Sequence, residues 1–158
     1  MKLGDVLRPL KIVHAALIGS IIIYAVIGFV VTAHAHPAKQ ALDPTVILSA
    51  FAAAALAMLV AIPIVRKRVL PPMSDTDETV DLQREVDPDT STMLGKLRGG
   101  LIMTWAMCES IAIFGLVAAL LFQTGWYVVP FAGVAIVAQL FYAPSETVLG
   151  RALRGMRR

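Results

Sequence analysis

The segment "GKLRGGLIMTWAMCESIAIFGLVAALLF" (95–122) decides the fold of this chain. A helix needs about 20 apolar residues to cross the roughly 30 Å hydrocarbon core of a bilayer, and this run exceeds that length. One acid, Glu109, interrupts the run near its middle. The segment therefore predicts a membrane-spanning helix with a carboxyl group at mid-depth.

Composition extends this interpretation to the whole chain. The 158 residues are 58% hydrophobic, above the ordinary usage of soluble domains. Each of four apolar runs has about the length of a membrane span, and the fourth is the shortest: Ile12 to Ala33, Pro44 to Val65, Gly99 to Phe122 and Trp126 to Ala143. The sequence predicts an all-α integral membrane protein with four transmembrane helices, arranged as two tandem helical hairpins.

The basic residues predict the orientation of these spans, because Lys and Arg collect on the cytoplasmic side of a membrane. Of the 14 basic residues, all but Lys39 precede the first span, lie between the second and third, or follow the fourth. Both termini are therefore expected in the cytoplasm, with the chain in the inner (plasma) membrane of the cell. The net charge of +3 is explained by these anchoring residues, so no nucleic-acid partner is expected.

Three segments follow from this pattern. Residues 1–65 form the first hairpin, 66–98 an acidic cytoplasmic linker, and 99–158 the second hairpin with a basic tail. The acids of the linker are Asp75, Asp77, Glu78, Asp81, Glu85, Asp87 and Asp89. Val80, Leu82 and Val86 could give the linker a short amphipathic helix. It is either a solvated connection or a docking surface for a cytoplasmic partner.

Two further features of the chain have alternative explanations. Residues 1–35 share features with a signal peptide, but an apolar stretch of about 20 residues exceeds the usual 7 to 15 and favours a retained helix. The third span also aligns with the first, so that Ser110 matches Ser20 and Glu109 matches Gly19. Duplication of one hairpin and chance similarity between apolar helices both account for this alignment.

Glu109 calls for a specific environment. An ionised carboxylate at mid-bilayer costs about 2.5–3.5 kcal/mol on insertion scales. No Lys or Arg lies at that depth in the spans, so we expect a neutral carboxyl hydrogen-bonded to a hydroxyl or carbonyl group. The candidate partners are Ser20, Tyr24, Thr104, Ser110 and Gln139.

Small residues beside the acid predict a packing face. They are Cys108, Ala112, Gly115 and Ala119, which recur at helical spacing. Such stripes let helices approach closely in membranes. Cys108 is the only cysteine, so neither a disulfide nor a metal site of the cysteine type is expected.

Residues 95–122 resemble the acid-bearing helix of the c subunit, the rotor-ring proteolipid of F-type and V-type ATP synthases. That family has a Gly-Lys-x-Arg-Gly lead-in, a mid-membrane Glu and an Ile-aromatic-Gly-Leu-Val run, matched here by 95–99, Glu109 and 113–117. The resemblance implies that Glu109 is a proton-carrying carboxyl. The second span, "ILSAFAAAALAMLVAIPIV" (47–65), departs from the family because it contains no glycine, and the linker is much longer.

The sequence thus predicts a proteolipid-like membrane subunit in which Glu109 carries a proton, or a cation, within a homo-oligomer or a larger complex of membrane subunits. The alternative is an accessory or scaffold subunit of a respiratory, photosynthetic or transport complex. No nucleophile motif, phosphate-binding loop or pair of catalytic carboxylates occurs, so we expect neither enzymatic activity nor a cofactor. His34 and His36 are a weak candidate for metal binding; otherwise no metal is expected.

Overall fold

A computed structural model of the chain describes residues 3–34, 43–69 and 88–144, and side chains within 7–34, 43–68 and 95–144. The described elements, in chain order, are α1 (Leu3–Ala33), α2 (Pro44–Val69), α3 (Pro88–Phe122), a 3₁₀ turn (Gly125–Tyr127) and α4 (Val128–Phe141). These four helices confirm the predicted all-α fold.

Three of the helices contain segments long and apolar enough to cross a membrane: Leu7–Ala33, Pro44–Arg68 and Gly95–Phe122. The fourth apolar segment, Gly125–Phe141, is shorter, and it consists of the 3₁₀ turn and α4. The protein is therefore an all-α membrane protein, and its described residues form three long helices and one short one.

Contacts along the bundle show that α1 and α3 run in the same direction. The rings of His14 and Trp105 are 5.0 Å apart between centroids, and further along a Cβ at Gly28 would lie 3.6 Å from the Cβ of Ala119. Helix α2 runs the other way, because Phe51 stacks on Phe114 while the later Ile62 packs against Cys108. The bundle thus has the alternating direction that four consecutive spans require.

Helix α4 runs antiparallel to α1 and α3. Its first residue, Val128, lies against Gly28 and Gly115, whereas Gln139 near its end lies beside His14. The end of the bundle that carries Arg8, Arg66 and Arg98 is called the basic end below, and the other is called the turn end.

Helix α3 is the centre of the bundle, since it packs against each of the other three helices. In an apolar stretch of 18 residues within α3, 44% of the residues are buried, compared with 17% in the corresponding stretch of α1 and 11% in that of α2. Helix α1 also contacts α4, whereas α2 packs chiefly on α3. Most of the surface of α1 and α2 is therefore apolar side chain facing outward, as expected for contact with lipid.

Two boundaries of α3 refine the predicted organisation. The helix begins at Pro88, within the segment 66–98 that was predicted to be linker, and proline is a favoured residue in the first helical turn. The helix ends where Gln123 adopts φ 53° and the N–H of Thr124 donates to the carbonyl of Ala119 at 3.0 Å, a Schellman-type stop. The predicted amphipathic helix at Val80, Leu82 and Val86 lies outside the described residues.

Candidate functional site

Glu109 lies near the middle of the apolar segment of α3, and Ser20 lies near the middle of that of α1. The Ser20 hydroxyl donates to Glu109 Oε1 at 2.5 Å, and the Tyr24 hydroxyl donates to the same oxygen at 2.8 Å. Ser20 and Tyr24 are four residues apart on α1, so their side chains share one face of that helix. The structure thus brings together the acid and two of its five predicted partners.

The surroundings of Glu109 accommodate either protonation state. The Ser20 hydroxyl lies 2.8 Å from the carbonyl oxygen of Leu17 as well as near Oε1, but its single proton can be donated to only one of them at a time. With Glu109 ionised, both hydroxyls can donate to Oε1. With a proton on Oε1, Glu109 can donate to Ser20 while Ser20 donates to Leu17 and Tyr24 still donates to Glu109. Uptake of one proton at Oε1 and rotation of the Ser20 hydroxyl together convert the first pattern into the second.

The other three predicted partners form their hydrogen bonds elsewhere. Thr104 donates to the carbonyl of Gly100 at 2.8 Å, and Ser110 donates to that of Ala106 at 2.9 Å. Such bonds to the preceding turn are favoured for hydroxyl side chains within helices, and Ser110 also points about 100° away from Glu109 around the helix. Gln139 Nε2 donates to the carbonyl of Trp105 at 3.2 Å.

The two sides of α3 differ in burial. One side, called the closed side, is buried and consists of Trp105, Cys108, Ala112, Gly115 and Ala119. The other, called the open side, is exposed and consists of Ile102, Met103, Ile113, Val117 and Leu121. Glu109 is partly buried and lies on the border between them, beside α1. Its carboxyl group is therefore held by the protein and also close to the molecular surface.

Small side chains allow the closed side to form. A Cβ added at Gly115 would lie 2.6 Å from the Cβ of Phe131, closer than real Cβ atoms approach, and in a tight contact of 3.2 Å with the Cα of Val128. The remaining small residues predicted for packing, Cys108, Ala112 and Ala119, are fully buried. The stripe of small residues is thus the contact surface of α3, chiefly toward α4.

A second group of polar side chains lies between Glu109 and the basic end. It consists of His14, Trp105 and Gln139 and is called the His14 cluster. His14 Nε2 is 3.0 Å from the backbone oxygen of Gln139, and Trp105 Nε1 donates to the backbone oxygen of Tyr142 at 2.9 Å. His14 is 7% exposed, and Trp105 and Gln139 are fully buried. The amide oxygen of Gln139 has no hydrogen-bond partner within the described residues.

The His14 cluster could not be read from a motif or a spacing in the sequence. His14 and Gln139 are 125 positions apart, and no spacing rule connects residues at that separation. A usable signal existed, because His14 and Gln139 are polar residues within apolar runs near the same predicted membrane face.

At the edge of the cluster, the Arg66 guanidinium lies 4.8 Å from the centroid of the Tyr142 ring, a cation–π contact.

Metal binding receives no support from the geometry of the described part of the chain. No group of three or more His, Cys, Asp or Glu side chains there could hold a metal ion. His34 is exposed at the end of α1, where its Nδ1 is 3.4 Å from the carbonyl oxygen of Val30. His36 lies outside the described residues.

Comparisons with models of known protein families, with curated proteins and with solved structures found no match.

Proposed function

We propose that this protein is a proteolipid-like subunit of a larger membrane assembly, in which Glu109 takes up and releases a proton. The observation that carries the proposal is the position of the Glu109 carboxyl, which two hydroxyls hold at mid-depth on the border of the open side of α3. Ionisable residues inside a membrane are costly, and they commonly mark proton or ion pathways.

The hydrogen bonds of Glu109 support a reversible exchange of protons. A proton carrier must be stable in both states, and the cost of ionisation in the membrane falls when donors point at the charged oxygen. Ser20 and Tyr24 supply two such donors from one face of α1, and one hydroxyl rotation adapts them to the neutral acid. Proton exchange therefore requires no repacking of helices.

The open side of α3 supports a role for a neighbouring subunit. Ile113, one turn after Glu109, is exposed, so a second helix could approach the carboxyl from that direction. Residues 95–122 resemble the acid-bearing helix of the rotor-ring proteolipid, and in that family the matching Glu exchanges its proton at such a contact. We propose that the subunit lies in the inner (plasma) membrane, within a homo-oligomer or a complex with other membrane chains.

The test of this proposal is the variant Glu109→Gln in the complex extracted from native membranes and reconstituted into vesicles. The amide keeps the shape and accepts the same two hydrogen bonds but cannot ionise, so we expect normal assembly and complete loss of proton transport. Ser110→Ala is the matched control, because the Ser110 hydroxyl is bonded within its own helix. Proton transport that persists in Glu109→Gln would refute the proposal.

A scaffold function is the second candidate, and the closed side of α3 favours it. Gly115 permits an approach between α3 and α4 that even an added Cβ would prevent, and Glu109 already has two partners within the chain. In this case Glu109 fixes the register of α1 against α3, and Glu109→Gln has little effect. The native mass and subunit content of the complex separate the two: many copies of this chain support a proteolipid, and one or two copies among unrelated chains support a scaffold.

A further inference from the structure

His14 is a buried titratable group that the proposed chemistry of Glu109 does not use. It is 7% exposed, and it lies on α1, the helix that also carries Ser20 and Tyr24. Six residues separate His14 from Ser20, which corresponds to about 9 Å along the helix toward the basic end. Trp105, whose ring packs against His14, precedes Glu109 by about one turn on α3. His14 therefore lies between the basic end and the carboxyl.

The hydrogen bond of His14 fixes which ring nitrogen can exchange a proton. Nε2 is 3.0 Å from the backbone oxygen of Gln139, and a carbonyl oxygen can only accept, so Nε2 carries a hydrogen. In the neutral ring the lone pair is then on Nδ1. Nδ1 is consequently the nitrogen that gains or loses a proton while the contact between α1 and α4 stays intact.

Gln139 supplies a reason for water to be present in the same cluster. Its side-chain oxygen is buried without a partner among the described residues, although the amide nitrogen donates to the carbonyl of Trp105. A buried acceptor of this kind is costly unless a donor reaches it, and ordered water is the usual donor at such positions.

We propose that His14 delivers protons to Glu109 from the basic end, with Nδ1 as the exchanging atom and with water in the His14 cluster as the connecting group. This inference rests on the proposed function of Glu109 and adds the route to it. In the first step a hydrated proton protonates Nδ1, giving an imidazolium whose Nε2–H still donates to Gln139. In the second step Nδ1–H passes its proton to the first of a short chain of waters, and the last of these waters protonates the Glu109 carboxylate. One proton moves, and His14 returns to its original tautomer.

The test measures how fast Glu109 is protonated in the full chain reconstituted in vesicles. After a pH jump, the infrared carbonyl band of the neutral acid, identified by its absence in Glu109→Gln, reports the reaction. His14→Gln retains a donor for the Gln139 carbonyl but cannot relay a proton, so we expect protonation about 100-fold slower with the same final amplitude. Added imidazole should restore part of the rate. His34→Gln, an exposed histidine at the other end of α1, should match the wild type.

The outcomes separate this inference from the function on which it rests. Absence of any titrating band that depends on Glu109 would refute the proposed function itself. A normal band that forms at the wild-type rate in His14→Gln would refute only the role of His14.

A second measurement needs no variant and covers the case in which His14→Gln does not assemble. Nitrogen-15 NMR of the wild-type protein should show neutral His14 protonated at Nε2, with Nδ1 gaining the second proton as the pH falls. A ring that stays in one state across the pH range in which Glu109 titrates would overturn the proposal.

Discussion

The closed and open sides of α3 differ in the size of their side chains and in what those side chains contact. On the closed side, α4 lies so close that a Cβ added at Gly115 would overlap Phe131. On the open side, branched side chains such as Ile113 and Val117 are exposed. Contact between helices inside a membrane is stabilised by close van der Waals packing, which needs small residues, whereas contact with lipid tolerates large ones.

At the border between these two sides, a carboxyl group can accept hydrogen bonds from a neighbouring helix and still be accessible from outside the bundle. A glutamate on the closed side would displace α4, and one on the middle of the open side would meet hydrocarbon without a donor. At the border, Glu109 has Ser20 and Tyr24 on one flank and exposed side chains on the other. The position of the acid around the helix therefore matters as much as its depth in the membrane.

The largest expected effect comes from the closed side. Gly115→Val places a branched side chain where a single Cβ already lies 2.6 Å from Phe131 Cβ, so we expect the free energy of unfolding to fall by about 3 kcal/mol or more. Unfolding in mixed detergent micelles would measure this. Gly133→Ala is the control, because a Cβ there meets nothing within 4 Å. Equal stability of the two variants would contradict the close contact between α3 and α4.

A smaller effect is expected at the His14 cluster. Trp105→Phe removes the donor to the Tyr142 carbonyl and leaves space in a fully buried position, which should lower the free energy of unfolding by about 1–3 kcal/mol. Trp126→Phe is the matched control, since Trp126 is largely exposed. If the free energy of unfolding falls no more in Trp105→Phe than in Trp126→Phe, the His14 cluster does not contribute to the stability of the bundle.

At the border the expected effect is smaller again. Tyr24→Phe removes one of two donors to Glu109 and should lower the free energy of unfolding by about 0.5–1.5 kcal/mol. The infrared carbonyl band of the neutral acid should also move to higher frequency, because a hydrogen bond to the carboxyl is lost. Tyr127→Phe, near the turn end, should leave that band unchanged. An unshifted band in Tyr24→Phe would mean that Tyr24 does not bind Glu109 in the membrane.

The smallest effect on the single chain is expected on the open side. Ile113→Trp should change the free energy of unfolding by less than about 0.5 kcal/mol, because the side chain faces outward. The proposed approach of a neighbouring subunit predicts that the same variant loses assembly or proton transport, measured in the extracted complex. A destabilisation as large as that of Gly115→Val would show that this side is not open.

Part of the site could be predicted because depth in a membrane follows from sequence. The basic residues and apolar runs set the direction of α1 and α3, and counting from the membrane faces then places Ser20 and Tyr24 level with Glu109. The same count could not exclude Thr104 or Ser110, because the choice of a hydroxyl between its own helix and a neighbour depends on the angle around the helix axis.

Other features depend on contacts that no sequence pattern encodes. The bond from His14 to the Gln139 carbonyl needs both the order of helices around the bundle and the end of α4, which occurs at Phe141, two residues before the predicted end at Ala143. The start of α3 at Pro88 was missed because the segment before Gly99 is polar, and polarity separates membrane from water without separating helix from loop.

The shortness of α4 has a consequence for the bilayer itself. Its 14 helical residues rise only about 21 Å, and the preceding 3₁₀ turn adds about 6 Å. The neighbouring apolar segment of α1 has 27 residues and rises about 40 Å, so it must tilt or extend beyond the hydrocarbon. We therefore expect the lipids beside α4 to thin locally. Such thinning would bring phospholipid headgroups closer to the ends of α4, and we expect the protein to respond to membrane thickness.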